Sequence, residues 1–384
     1  LLINYIFLLY PLFIDYFKYI IYNKLTLYST IKKMEVLTLN NKKKTLILVL
    51  FFTLLQTIAY TCTVVFWNNI PNKLIGRNMD WYTNEETEFW VLPRGIKRDG
   101  MVGKNSMKWE SKYGSTIIFF DAPIDGVNEK GLTGHLLWLG EADFGKRNEK
   151  KPGIALGFWL QYYLDNFATV KEAVEYTKNA NFQFVETDFE GKKVALHLYL
   201  TDESGDVAVI EYLDGKPVIH HGKEYVVMTN SPTYDKQIEN LKQYKAFGGS
   251  KELPGSTEAA DRFVRALYYL ENLPLPTDYN DGIAKIFSVT RNVSQPFRIS
   301  NDPTRPDNST TRWRTAIDVT NKIYYFEATN SPNIVWLDIK KVNYEKGSNI
   351  MKIKVQPNNN IGDITTKLEK TNEMYKIPLP NFSN

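Results

Sequence analysis

Cysteine is nearly absent: Cys62 stands alone among 384 residues. That excludes an intramolecular disulfide framework and every Cys-based zinc site. Histidine is scarce too. His135, His197, His220 and His221, two of them adjacent and none in an HExxH spacing, make no metal motif. Neither GxGxxG nor GxxxxGK[ST] occurs, so nucleotide cofactors have no support. What is present points to a folded protein. A hydrophobic share of 43% and an aromatic share of 14% are too rich for a disordered chain. The length allows one large or two ordinary domains with a substantial core.

The net charge of +4 hints at an acidic partner, until it is located along the chain. Residues 1–61 hold seven lysines (Lys18, Lys24, Lys32, Lys33, Lys42, Lys43, Lys44) against Asp15 and Glu35, a surplus of five. The remaining 323 residues therefore net −1. A body of that charge gives nucleic acid no electrostatic footing. Lys42–Lys44 precede the apolar run TLILVLFFTLLQTIA, Thr45 to Ala59, the arrangement of a secretory signal. Export to the periplasm or outside the cell follows from that reading. A membrane anchor stays open, because no charge falls between Thr45 and Trp67. Residues 1–33 are a poorer hydrophobic stretch broken by Pro11, Asp15 and Lys18. With Met34 just before the signal-like segment, translation is expected to start there, making 1–33 an extension and 34–61 a signal or propeptide.

From Cys62 the pattern is mixed. Runs rich in Val, Ile, Tyr and Phe predict strands at Thr63–Trp67, Thr116–Phe120, Val194–Leu200, Val207–Tyr212, Tyr225–Thr229, Thr315–Val319, Ile323–Phe326 and Ile334–Ile339. Helical spacing predicts helices at Thr169–Tyr176, Pro232–Tyr244, Thr257–Leu270 and Asp281–Val289. Thr169 three residues before Glu172 is a capping-box spacing. Strands at both ends with helices between imply a single α+β domain over 62–384 rather than βαβ units. Asn301–Thr311 reads as a loop, and the polar tail after Val355 is expected to pack loosely.

Cys62 sits directly after the signal-like segment. As the first residue of a mature chain it would own a free α-amine, with a pKa of about 7.7–8.0 against about 8.5 for a thiol. One residue then supplies nucleophile and base, and no histidine is needed. An inert buried cysteine is the plain alternative. A lipoprotein anchor is another, which Ala59-Tyr60-Thr61 fits poorly and which would acylate the amine.

Five blocks in order give the chain a recognisable outline: Cys62-Thr63; Gly76-Arg77-Asn78-Met79-Asp80-Trp81; DGVNEKGL from Asp125 to Leu132; MTNSPTYD from Met228 to Asp235; and Leu253-Pro254-Gly255 followed by Ala260-Asp261-Arg262-Phe263. From Cys62 to about Ile339 the chain resembles the choloylglycine hydrolase family, which holds conjugated bile acid hydrolases and penicillin V acylases. The resemblance implies an N-terminal-nucleophile fold, a four-layer αββα sandwich with two antiparallel sheets between helical layers. It also implies linear amide hydrolysis without metal or organic cofactor, and a homotetramer.

By that resemblance Cys62 attacks the amide, Arg77 stabilises the thiolate, Asp80 holds the amine and thiol in geometry, and Arg262 completes the site. Alone, an Arg and an Asp three apart are ordinary surface ion-pair material. The amide of Asn230 is an uncharged donor of the kind an oxyanion hole uses, although an Asn there also suits a turn or helix N-cap. Arg265 is the neighbour most easily confused with Arg262. Where bile acid hydrolases carry an Asn after the NEKGL segment, this chain has Trp138. Its backbone N–H is the expected oxyanion donor, and its indole, with Trp81, offers apolar pocket walls. Both tryptophans also read as plain core residues. The wording HLLWLGEADFG is similar to penicillin V acylases of Gram-negative bacteria. The implied substrates pair an apolar or aromatic acyl group with a polar amine: penicillin V, fatty-acyl amides or acyl-homoserine lactones. Conjugated bile acids are the second choice. A binding protein tethered by an uncleaved leader, its cysteine chemistry silent, is the reading from another class.

Overall fold

The computed structural model describes residues 61–83, 86–189, 192–297, 309–356 and 360–380. The leader, Met34 included, and most of the 301–311 loop lie outside them. Two large sheets carry the fold. The first runs, edge to edge, Val227–Met228, Cys62–Trp67, Leu74–Trp81, Thr310–Asp318, Ile323–Ala328, Ile334–Asp338 and Gly362–Asp363. The second runs Lys216–His221, Val207–Leu213, Leu196–Thr201, Thr133–Trp138, Ala122–Asn128, Ser115–Phe120, Thr87–Leu92, Ile350–Gln356 and Glu369–Thr371. Every pairing is antiparallel except the last of the first sheet, where Val335 and Trp336 meet Gly362 and Asp363.

Both faces of each sheet are covered, and the side chains say how. Along Val207–Ile210, Val207 and Val209 join the core between the sheets, whereas Ala208 and Ile210 join the core on the opposite face. Two apolar faces give a continuous hydrophobic run rather than polar alternation. Phe89 of the second sheet meets Tyr324 and Phe326 of the first, with ring centroids 5.0 and 6.0 Å apart. Helices Ala259–Glu271 and Tyr279–Asn292 pack on the outside of the first sheet, and Trp159–Asn166 on the outside of the second. The architecture is the αββα sandwich.

Glycine lets the helices come close. A Cβ at Gly76 would lie 2.6 Å from Thr290 Cγ2, and one at Gly134 would collide with Leu160 Cδ1. Each glycine sits on a sheet at the point where a helix crosses it.

All the predicted strands are present, Tyr225–Thr229 reduced to Val227–Met228. The four predicted helices are Val170–Asn179, Tyr234–Leu241, Ala259–Glu271 and Tyr279–Asn292. The Thr169 hydroxyl accepts from Glu172 N–H at 3.2 Å, while the Glu172 carboxylate receives Ala168 N–H at 2.8 Å. Helix Trp159–Asn166 escapes the periodicity argument because Trp159 through Asp165 are all buried, leaving no polar face. The loosely packed tail needs correcting. Glu369–Thr371 is a strand paired with Ile350–Gln356, and Tyr375 and Ile377 are buried. Hydrophobic residues scattered through a polar composition suffice to dock it.

Candidate active site

Strand Cys62–Trp67 pairs with Leu74–Trp81 in a register that sets Cys62 opposite Met79 and Val64 opposite Arg77. Strand alternation then divides the two strands between their faces. Cys62, Arg77, Met79 and Trp81 all line a cavity between the sheets. Thr63, Asn78 and Asp80 point the other way, toward the helices. There Thr63 meets Arg262 of helix Ala259–Glu271, Asn78 Nδ2 donates to Thr290 C=O at 2.8 Å, and Asp80 faces Arg262 at 3.9 Å.

Arg77 and Asp80 are therefore neither a surface pair nor partners of one another. Three residues apart in a strand, they leave on opposite faces, and both are completely buried. Arg77 donates from Nη1 to Ile124 C=O at 2.5 Å and to Asp125 Oδ2 at 3.1 Å, and from Nη2 to Leu136 C=O at 2.8 Å. Its guanidinium lies over the Trp313 ring, 5.3 Å from the centroid. Asp125 in turn accepts from Tyr324 Oη and sits 3.0 Å from His135 Nδ1. Burial opposes ionisation of Asp125, yet His135, Arg77 and Tyr324 together hold its carboxyl below the usual range.

Arg262 reaches across to the first residue of the strand. Its Nη1 donates to Cys62 C=O at 2.6 Å and to the Thr63 hydroxyl, its Nη2 to Asn230 Oδ1 at 3.0 Å, and its Nε to Thr257 C=O at 3.0 Å. Arg265 instead donates to Pro254 C=O at 3.2 Å and Ser256 C=O at 2.6 Å, away from this cluster. Asp80 Oδ1 receives the Thr311 hydroxyl at 2.5 Å.

Asn230 is a hub. Its Oδ1 accepts from the Cys62 N–H and from Arg262, and its Nδ2 donates to Trp138 C=O at 2.8 Å. Two donors on one atom and an acceptor on the other fix the amide orientation. Its backbone is held as well: Gln237 Nε2 donates to Asn230 C=O at 2.7 Å and to Thr229 Oγ1 at 2.8 Å. Neither the N-cap nor the plain turn role applies, since the side chain turns inward. Leu139 N–H donates to Ala195 C=O at 3.0 Å. The N–H and C=O of Trp138, one residue earlier, thus leave from the opposite edge of the strand, toward Asn230.

The Cys62 thiol is buried, 3.9 Å from Asp80 C=O and 3.8 Å from Met79 Sδ. Burial pushes its pKa up; Arg77 and Arg262 pull down and Asp80 pushes up, leaving it above the ordinary thiol value. Trp81 and Trp138 pack against each other on the cavity wall, tilted with centroids 6.5 Å apart, and Phe120 closes on Trp81 edge-on at 6.1 Å. Apolar side chains dominate the rest of the lining.

The family profile of linear amide C–N hydrolases, choloylglycine hydrolase family, matches residues 62–352. The chain belongs to the choloylglycine hydrolase family. Among its relatives is a penicillin V acylase of Pectobacterium atrosepticum, 42% identical over 334 residues, 80% of this chain and 88% of that one. A bile salt hydrolase/transferase of Clostridium perfringens is 28% identical over 301 residues, covering 71% and 90%. Among solved structures, a penicillin V acylase from Agrobacterium tumefaciens superposes with a TM-score of 0.73 at 42% identity, over 84% of this chain and 99% of that one. As a member of this family the protein is an enzyme, a linear amide C–N hydrolase similar to penicillin V acylases.

The profile begins on the cysteine that begins the site strand. All seven site residues named from the sequence gather here: Cys62, Asn230 and Arg262 joined by hydrogen bonds with Asp80 facing Arg262, Arg77 on the cavity side of the same strand with its own partners, and Trp81 and Trp138 on the cavity wall. The sequence reading missed Thr63, Gln237 and Thr311, ordinary residues whose parts depend on partners distant in the chain. It also missed Asp125 as the partner of Arg77, although Asp125 opens the DGVNEKGL block.

Proposed function

We propose that the mature enzyme begins at Cys62 and hydrolyses N-acyl amides through an acyl-thioester on that residue. The observation that carries this is the placement of Cys62: its thiol lines the apolar cavity while its backbone nitrogen lies against Asn230 and its carbonyl against Arg262. Cleavage of the Thr61–Cys62 bond converts that nitrogen into an amine. A thiol held protonated by burial needs a base, and the amine of the same residue is within reach of it. The amine takes the thiol proton as sulfur bonds to the acyl carbon. It passes the proton to the departing nitrogen as the C–N bond breaks. Water then attacks the thioester, giving a proton back to the amine, and the sulfur leaves and recovers it.

The developing oxyanion would be held by Asn230 Nδ2 and the Trp138 N–H. Arg77, buried beside the cavity, supplies positive charge to the thiolate. Arg262 and Asp80 fix the chain end. The relatives act, by name, on penicillin V and on bile salts. The indoles of Trp81 and Trp138 shape a pocket for a flat or aliphatic acyl group, which favours penicillin V, fatty-acyl amides or acyl-homoserine lactones over conjugated bile acids. Export through the leader and assembly as a homotetramer belong to the same reading.

A substrate panel assayed with wild type and Cys62→Ser tests it. Turnover of penicillin V above that of glycine-conjugated bile acids, abolished in Cys62→Ser, is expected. Faster bile acid turnover overturns the pocket assignment. Full activity in Cys62→Ser overturns the nucleophile, and a silent, leader-tethered binding protein would turn over nothing.

A further inference from the structure

The cavity beside Cys62 is walled mainly by strands of both sheets, with Asp121, Gly157, Thr187, Val194 and, from the C-terminal tail, Pro378 contributing from outside them. Of these, Val194 N–H is tied to Thr187 C=O at 2.9 Å. Residues 374–380 follow the last strand, Glu369–Thr371, and form neither helix nor strand.

The tail is pinned just before it reaches the cavity. Tyr375 is buried, its ring 5.6 Å from Trp90 and 5.1 Å from Phe119. Its hydroxyl donates to Gln161 Oε1 at 2.9 Å and accepts from Arg98 Nη1 at 3.2 Å. Behind it, Asp165 accepts from Arg98 Nε at 2.6 Å, Gln161 Nε2 at 2.7 Å and Trp109 Nε1 at 2.8 Å. Ile377 then lies on Gly157 so closely that a Cβ there would be 3.2 Å from its own Cβ. Past Pro378, Leu379 is 47% exposed and Pro380 is buried again.

The cavity measures about 100 Å³. An apolar cavity that accepts benzene is about 150 Å³, and this one is open to solvent, so an aromatic or long acyl end fills it and presses on its walls. Moving a sheet wall breaks ladder hydrogen bonds. Among the described residues, the tail beyond Tyr375 has none to break.

We propose that Ile377 and Pro378 form the adjustable wall of the acyl pocket, with Tyr375 as its fixed pin, and that Pro378 sets the size of acyl group accepted. This inference rests on the reading of Cys62 as the acylated residue. The test is a kcat/KM series on 6-aminopenicillanic acid acylated with acetyl, hexanoyl, decanoyl and phenoxyacetyl groups. In Pro378→Trp the hexanoyl, decanoyl and phenoxyacetyl substrates are expected to fall about tenfold or more, the scale of a misfitted methylene in an apolar pocket, with acetyl nearly unchanged. Pro378→Gly, which adds no bulk, is expected to shift preference toward decanoyl. Tyr375→Phe is expected to raise KM for the bulky substrates and leave kcat alone. An acyl-independent fall, or no change in any variant, overturns the wall. Alkylation of Cys62 by iodoacetamide separates the two claims. If it abolishes wild-type turnover while the Pro378 series is flat, the wall alone fails; if the alkylated enzyme still turns over, the reading beneath it fails.

Discussion

Asn230 receives two donors on one amide oxygen and gives its nitrogen to a strand carbonyl, so Asn230→Ala removes a donor without introducing a clash. Under the oxyanion role proposed for Asn230, the lost donor costs about 10²–10³ in kcat, and that fall, with KM little changed, is expected in steady-state assays of the variant. Arg262 is a different kind of residue. It is fully buried and serves the Cys62 carbonyl, Thr63, Thr257 and Asn230 while facing Asp80. Removing one partner of a buried charge pair costs about 3–5 kcal/mol. Arg262→Leu should therefore lower the urea midpoint as well as activity, and by more than Asn230→Ala, which leaves the Cys62 and Arg262 donors unsatisfied at about 1–3 kcal/mol. An Arg262→Leu protein with an unchanged midpoint would refute the buried role. These residues were legible because the TNSPTYD and ADRF blocks that hold them resemble those of the family. Thr63, Gln237 and Thr311 were not, because a threonine or glutamine declares its role only through the partner that folding brings to it.

At the scale of elements, strand Leu74–Trp81 is the least predictable piece and the most informative. Gly76, Arg77, Asn78 and Asp80 all disfavour a buried central strand by propensity, and tertiary partners override that preference on both faces. The alternation that sends Arg77 to the cavity and Asp80 to the helices became readable only once the segment was known to be a strand. Gly76→Val is expected to cost about 1–3 kcal/mol by overpacking against Thr290 and Ile286, read as a lower thermal midpoint. Asp125 gives the element behind Arg77 its pH dependence. Its native pKa lies below its unfolded value, so it contributes stability above about pH 4, the ordinary Asp value. That contribution is lost as pH falls through the lower native value. Between pH 6 and pH 3 the melting temperature of wild type should drop more steeply than that of Asp125→Asn; parallel slopes would contradict the assignment.

For the whole molecule, the α+β class could be read from the residues, whereas the αββα layering was reached only through the family resemblance, because two sheets buried on both faces show no polar alternation. Strand-rich ends and a helical middle were visible as composition. The fully buried helix Trp159–Asn166 and the docked tail were not, since neither presents a polar face or a clean period. The proposed homotetramer predicts a solution mass of about four chains by light scattering, and a monomer would remove it. The central claim is chemical, and it depends on one bond. Thr61 is buried beside Cys62, its hydroxyl 2.7 Å from that of Ser309. N-terminal sequencing with intact mass on the active enzyme tests the claim directly. Cys62 is predicted as the first residue, with an unmodified amine; full amidase activity in a protein whose Thr61–Cys62 bond is intact would contradict it.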